Sequence, residues 1–232
     1  MPIRDFSRPQ RGRRTTRVEY TMTRTSEPAV EPVTADELRA HMLATVGNLP
    51  DATADELIQT SRMLIEQMHG IAFITQTWTM EMDRWPQQVN DPWWEGERVG
   101  ALSQLDGFDN RVDLPRYPVI AITGLSTYDS AGVETSHTVT DLFYIAEGRS
   151  RLVLKNGQTF PVVTQESEGI KFTFTAGYGA SSVTVPAPLI QAIKRLSSYL
   201  HTHRGDCSAD EAYTKSGARN LVRPYVRRAL IQ

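Results

Sequence analysis

Residues 53–82 read TADELIQTSRMLIEQMHGIAFITQTWTMEM, and the spacing of their apolar side chains changes once, at Gly70. Before it, Thr53-Ala54-Asp55-Glu56 is a capping box, in which a hydroxyl satisfies the first free N–H groups and a carboxylate reaches back to the cap. Leu57, Ser61, Leu64 and Met68 then share one helical face with Ile58 and Ile65 beside them, and Gly70 suits the left-handed turn that stops a helix. After it the period falls to two. Ala72, Ile74, Trp78, Met80 and Met82 point one way, and Thr75, Thr77, Thr79, Glu81 and Asp83 the other, as in a half-buried strand.

Working outward, Thr34-Ala35-Asp36-Glu37 repeats the cap signal ahead of Leu38, Met42 and Val46, with Gly47 as the expected stop of a short helix. Downstream, Pro86, Pro92, the Trp93-Trp94 pair and several glycines mark residues 86–113 as a long loop or insertion of the contact-making kind. Strands return at Val119–Tyr128, before an Asp129-Ser130-Ala131-Gly132 turn, at Arg151–Leu154 before Asn156-Gly157, and where Ile170, Phe172 and Phe174 alternate with Lys171, Thr173 and Thr175. Pro186-Ala187-Pro188 opens a last helix, with Leu189, Ile193, Leu196 and Leu200 on one stripe, Ala192 and Tyr199 alongside and Gly205 as terminator. None of the three helices buries its stripe alone. The expected fold is therefore α+β: a small helical bundle from 34–70 and 186–205, with residues 71–185 inserted as an antiparallel β domain. An extended basic arm (1–33) and a tail (206–232) flank it.

At 232 residues and 40% hydrophobic, the chain is long enough for one well-cored domain with an insertion, and no apolar run approaches bilayer length. The Arg-rich opening lacks the apolar core of a secretory signal, and the single Cys207 forms no internal disulfide, which suits a reducing cytoplasm. The net charge of −2 hides a strong asymmetry. Residues 1–25 carry seven Arg against Asp5 and Glu19, and residues 212–232 carry Lys215, Arg219, Arg223, Arg227 and Arg228 against no acid. The remainder, 26–211, stands at −12, with 13 basic and 25 acidic residues. An acidic body with basic ends fits docking to like subunits or a partner, and an acidic surface repels nucleic acid.

Catalytic signatures are missing. His201 and His203 lack the i, i+4 spacing that puts two metal ligands on one helical face, and with Asp206 and Cys207 they have no second cluster to complete a site. No nucleophile elbow, phosphate loop or His-Glu-x-x-His occurs, and Gly177-Tyr178-Gly179 reads as a strand ending in a turn. The expectation is no enzyme and no cofactor. Trp93 and Trp94 are expected at a subunit interface in preference to a ligand pocket. The basic arm (Arg4, Arg8, Arg11, Arg13, Arg14, Arg17) gives the rival reading, electrostatic binding of nucleic acid.

Five stretches in order carry a resemblance: Leu105-Asp106-Gly107-Phe108; Leu114-Pro115-Arg116-Tyr117-Pro118-Val119 leading to Tyr128-Asp129-Ser130-Ala131-Gly132; Phe174-Thr175-Ala176-Gly177-Tyr178-Gly179; Val185-Pro186-Ala187-Pro188-Leu189; and Leu221-Val222-Arg223-Pro224-Tyr225. Together they resemble the head–tail connector, or adaptor, proteins of long-tailed phages and gene transfer agents, from about Thr34 onward. Asp109 departs from the proline common there, residues 86–104 are longer than usual, and the arm has no counterpart. The resemblance implies a ring, typically of twelve copies, that docks under a portal protein, offers its other face to a stopper or tail-completion protein, and leaves a channel through which DNA passes without sequence-specific binding. Such a protein belongs to the particle neck and is assembled in the host cytoplasm.

On this reading the final segment is the portal-docking element. Leu221, Val222, Tyr225, Val226, Leu230 and Ile231 would anchor, Arg219, Arg223, Arg227 and Arg228 would meet carboxylates, and Pro224 interrupts the helix. The alternative, that this tail packs back on its own helices, stays open. The Leu114, Pro115, Tyr117 and Pro118 segment is a second interface candidate, although a plain turn at a sheet edge explains its prolines as well.

Overall fold

The computed structural model describes residues 20–86, 110–146, 148, 150–205 and 208–226. Strands β1 (Tyr20–Ser26), β2 (Gln76–Met82), β8 (Ile170–Ala176), β4 (Val119–Tyr128) and β5 (Glu134–Ser136) form an antiparallel sheet in that spatial order. A second sheet runs β3 (Arg111–Asp113), β7 (Arg151–Leu154), β6 (Phe143–Ile145), with the one-turn helix α3 (Val139–Leu142) leading into β6. The helices are α1 (Ala35–Met42), α2 (Asp51–His69), α4 (Ala187–Thr202), α5 (Ala209–Lys215) and α6 (Ala218–Val222). The α+β expectation holds.

Two apolar cores result. Inward residues of both sheets, with Trp85 stacked on Phe160 at 4.7 Å and edge-on to Phe172 at 5.8 Å, fill the β core. In β2, Trp78, Met80 and Met82 are buried and alternate with half-buried residues, as their period requires. The helical core gathers Leu38, Ile58, Ile65, Leu189, Ile193 and Leu196. Residues 71–74 face both ways: Ala72 enters the β core, and Ile71, Phe73 and Ile74 enter the helical one. Ala72 and Ile74, expected on one strand face, thus enter different cores, and the paired strand starts only at Gln76.

Several sequence expectations are corrected. Thr34 caps α1 by accepting the Glu37 N–H, but the helix stops at Leu43, which itself takes a left-handed φ of 54°, a turn before Gly47. Helix α2 begins two residues ahead of the expected box. Pro50 holds the pre-helical φ of −59°, its carbonyl accepts the Ala54 N–H, and no side chain caps the end. The buried face of α2 is also rotated toward Ile58, Arg62, Ile65 and Glu66, leaving Leu57 and Leu64 half-buried and Met68 exposed. The end of the arm is extended as expected but orders on the chain's own sheet: β1 pairs with β2 from Tyr20 against Met82 to Ser26 against Thr77, and Arg24 lies 5.8 Å from the Trp78 ring.

Close backbone packing joins the two halves. The Tyr117 N–H donates to the Gly70 carbonyl, the Tyr117 carbonyl accepts from Ala72, and Gly177 donates to Pro118. Gly177 has a φ of 145°, and a Cβ there would sit 2.6 Å from the Ile74 carbonyl carbon and the Thr75 nitrogen. Gly177→Ala is expected to destabilise the fold by roughly 2 kcal/mol or more, through strain and a backbone clash that no rotamer relieves, as urea denaturation would measure.

Candidate docking surface

The C-terminal helices carry exposed arginines beside an open groove. Ser208 caps α5 by accepting the Glu211 N–H, and Gly217 with a φ of 74° turns the chain into α6. Ala212, Tyr213, Ala218 and Val222 enter the helical core, and Leu221, Tyr225 and Val226 pack against it. The last turn, Arg223–Tyr225, tightens to a 3₁₀ helix with Pro224 inside it. Tyr213 hydrogen-bonds His69 at the end of α2, with 2.8 Å between the hydroxyl and Nε2.

Between these elements lies an open groove of about 570 Å³ lined by His69, Tyr213, Thr214, Arg219, Asn220, Arg223 and Val226. Arg219 and Arg223 sit one turn apart, are exposed, and carry no ion pair among the described residues. Burial pushes the Tyr213 hydroxyl up to about 12 against the opposing pull of Arg219. Burial, and then the Arg219 charge, holds His69 below the ordinary histidine value of 6.5. The groove is therefore cationic through its arginines and otherwise neutral. The Asn220 amide and the two guanidinium groups are donors of the kind that hydrogen-bond carboxylates.

The expected portal-docking residues divide three ways. Val222 is fully buried in the chain's own core, and Leu221, Tyr225 and Val226 are half-buried against it, so the tail packs back through Val226. Arg219, Arg223 and Pro224 are exposed. Arg227, Arg228, Leu230 and Ile231 lie outside the described residues, as do Trp93, Trp94 and the basic arm from Arg4 to Arg17. Of the other interface candidates, Leu114 is fully buried in the β core and donates its N–H to Ser150. Tyr117 and its neighbouring prolines are half-buried at the joint between the two cores. That segment serves the fold: Arg116 donates to the Glu66 carbonyl and stacks 4.5 Å from the centroid of Trp78.

Sequence reading missed α5, although Ser208-Ala209-Asp210-Glu211 is the same capping pattern that located α1. It also missed His69 and Tyr213, which are 144 positions apart and carry no local signal. His203 stacks on Tyr199 with 4.0 Å between ring centroids, while Asp206 and Cys207 lie outside the described residues. Among the described residues, no group of three or more His, Cys, Asp and Glu is placed to hold a metal ion, and no helix is long and apolar enough to cross a membrane.

No protein-family model matches the chain, and no curated protein matches it. Among solved structures, a chain in the virion of a native gene transfer agent particle is similar, with a TM-score of 0.68 and 20% identity over 90% of this chain and 97% of that one. Chains in the neck of the empty particle computed with C6 symmetry and in the neck of the native particle computed with C12 symmetry give TM-scores of 0.66 and 0.65, each at 21% identity over 91% of this chain and 97% of that one. At this identity the likeness is one of fold, and it extends over both the helical and the β halves.

Proposed function

We propose that the chain is a structural neck protein of a DNA-carrying particle: a head–tail connector, or adaptor, without enzymatic chemistry. Twelve copies form a ring that docks on the portal, extends the DNA channel and joins the capsid to a stopper or tail-completion protein. The observation that carries this reading is the agreement of fold along nine-tenths of the chain with chains of gene transfer agent virions and necks. The acidic body suits the role, since a lumen of the same sign as DNA gives weak, sliding contact with no preference for sequence. Assembly takes place in the cytoplasm of the bacterial host, and the finished protein resides in the particle neck.

Because Leu221, Val222, Tyr225 and Val226 pack on the chain's own core, anchoring to the portal falls, on this reading, to Arg227, Arg228, Leu230 and Ile231. Removing residues 227–232 is expected to abolish co-sedimentation with the isolated portal ring while leaving the circular dichroism spectrum unchanged. Retained binding by the shortened chain would reject this docking site, and failure of the full-length chain to bind portal would reject the adaptor reading. Removal of residues 1–17 separates the rival: a nucleic-acid binder loses a salt-steep DNA affinity on that deletion, whereas an adaptor keeps its portal attachment.

A further inference from the structure

A ring of identical copies joined head to tail needs two unlike faces on one chain that fit each other. Among the described residues, the helical half carries a basic face and an acidic face whose charges form no ion pair. One is the groove of Arg219 and Arg223, which no acid among the described residues lines. The other is the outer face of the first turns of α2, where Asp55 and Glu56 are exposed beside Gln59 and Thr60 and make no ion pair among the described residues. Their neighbour Asp51 is already engaged by Arg39.

These faces cannot neutralise each other within one copy. His69, at the end of α2, borders the groove, and Asp55 lies fourteen residues earlier on the same helix, about 21 Å away at 1.5 Å per residue. Helix α4 packs against both α2 and α6. Its Ser197 hydroxyl bonds Ser61 at 2.9 Å on the α2 side, and Arg195 lies against Gly217 on the α6 side. The groove has room for carboxylate side chains projecting from a helix, and its half-buried Val226 offers the stems an apolar floor.

We infer that the Arg219 and Arg223 groove receives the Asp55 and Glu56 face of α2 from a second copy of this chain, so that copies associate head to tail. This rests on the ring reading and adds to it the two surfaces that meet. Like-sign approach of two acidic or two basic faces is disfavoured, so the charge pattern also selects the direction of joining.

The experiment is a charge swap in the full-length protein, read by sedimentation velocity at low and moderate salt. Asp55→Lys with Glu56→Lys, and separately Arg219→Glu with Arg223→Glu, are each expected to weaken self-association by about tenfold or more, while a mixture of the two variants associates again. The four substituted sites are exposed, and an unchanged circular dichroism spectrum verifies that each variant is folded. The inference is overturned if either variant associates like the wild type, or if the mixture does no better than its components. It is also overturned if the arginine variant loses only salt-sensitive binding of a double-stranded DNA oligonucleotide, which would make the groove a phosphate site. A wild-type chain that stays monomeric both alone and on isolated portal rings defeats the ring reading itself, and this inference with it.

Discussion

Cutting the chain after Gly217 is expected to unfold the helical half, whereas cutting it after Val226 leaves the fold intact. The first cut removes Ala218 and Val222 from the core, with Leu221, Tyr225 and Val226 from its rim. Fully burying a residue such as valine contributes about 1.5–3 kcal/mol. With the half-buried aromatic and aliphatic groups added, the loss is on the order of 5 kcal/mol, a large fraction of the roughly 5–15 kcal/mol that holds a typical domain together. It would also expose the flank of α4 that α6 covers. Urea denaturation and limited proteolysis distinguish the two cuts: the shorter chain loses its cooperative transition and is cleaved within α4, and the longer one behaves as the full chain. An intact transition in the shorter chain would mean that the C-terminal helices are an appendage, which would return portal docking to the whole tail.

The apolar character of Leu221, Val222, Tyr225 and Val226 was legible in the sequence, and so was the need to bury it. The identity of the surface that buries it was not, because Pro224 suggested a break in the helix, and a break says nothing about where the next segment packs. Here the proline sits inside a single 3₁₀ turn, and the chain stays on its own core. The helix face of α2 failed for a related reason. Leu57, Leu64 and Met68 outweighed Arg62 and Glu66 on hydropathy, yet the charged pair is inside and the Met is out. A buried ion pair is invisible to apolar periodicity, since only its partners make burial tolerable. The period change at Gly70 survived because it depends on backbone geometry: Gly70 has a φ of 69°, and a Cβ there would meet the Pro115 carbonyl oxygen at 2.4 Å.

Charge shows the same division. The basic ends and acidic body could be counted from the sequence, but counting assigned Arg219 and Arg223 to the same docking element as Arg227 and Arg228. The first two line a groove anchored by the core through Val222, and the other two lie outside the described residues. A turn that buries Val222 while keeping Arg219 and Arg223 outside presents a cationic surface fixed to the core. A surface fixed to the core suits a repeated contact between identical copies, because little freedom is lost at each joint.

Replacing Arg62 by Met is expected to cost about 3–5 kcal/mol, the usual penalty for removing one partner of a buried ion pair. Arg62 is fully buried, pairs with Glu31 through two hydrogen bonds of 2.7 and 3.0 Å, and bonds Glu66 at 2.9 Å. Glu66 in turn accepts from the Phe73 N–H at 3.2 Å and the Gln76 amide at 2.7 Å, so one network ties the segment before α1 to α2 and to the start of β2. Without the guanidinium, Glu31 can turn to water, but Glu66 stays in the core with its charge half compensated. Burial already pushes the Glu66 carboxyl above its ordinary value of 4.5, while Arg62 pulls the other way, so the variant raises it further. The folded state then holds a proton that the unfolded state has released, and stability falls as pH rises from about 4.5 through the folded-state value. Arg62→Met should therefore lose least against wild type at acidic pH and most at neutral pH, and Arg62→Met with Glu66→Gln should remove most of that pH dependence. Urea midpoints measured between pH 4.5 and 8 decide the matter, and a penalty independent of pH would show that the arginine acts through its packing alone.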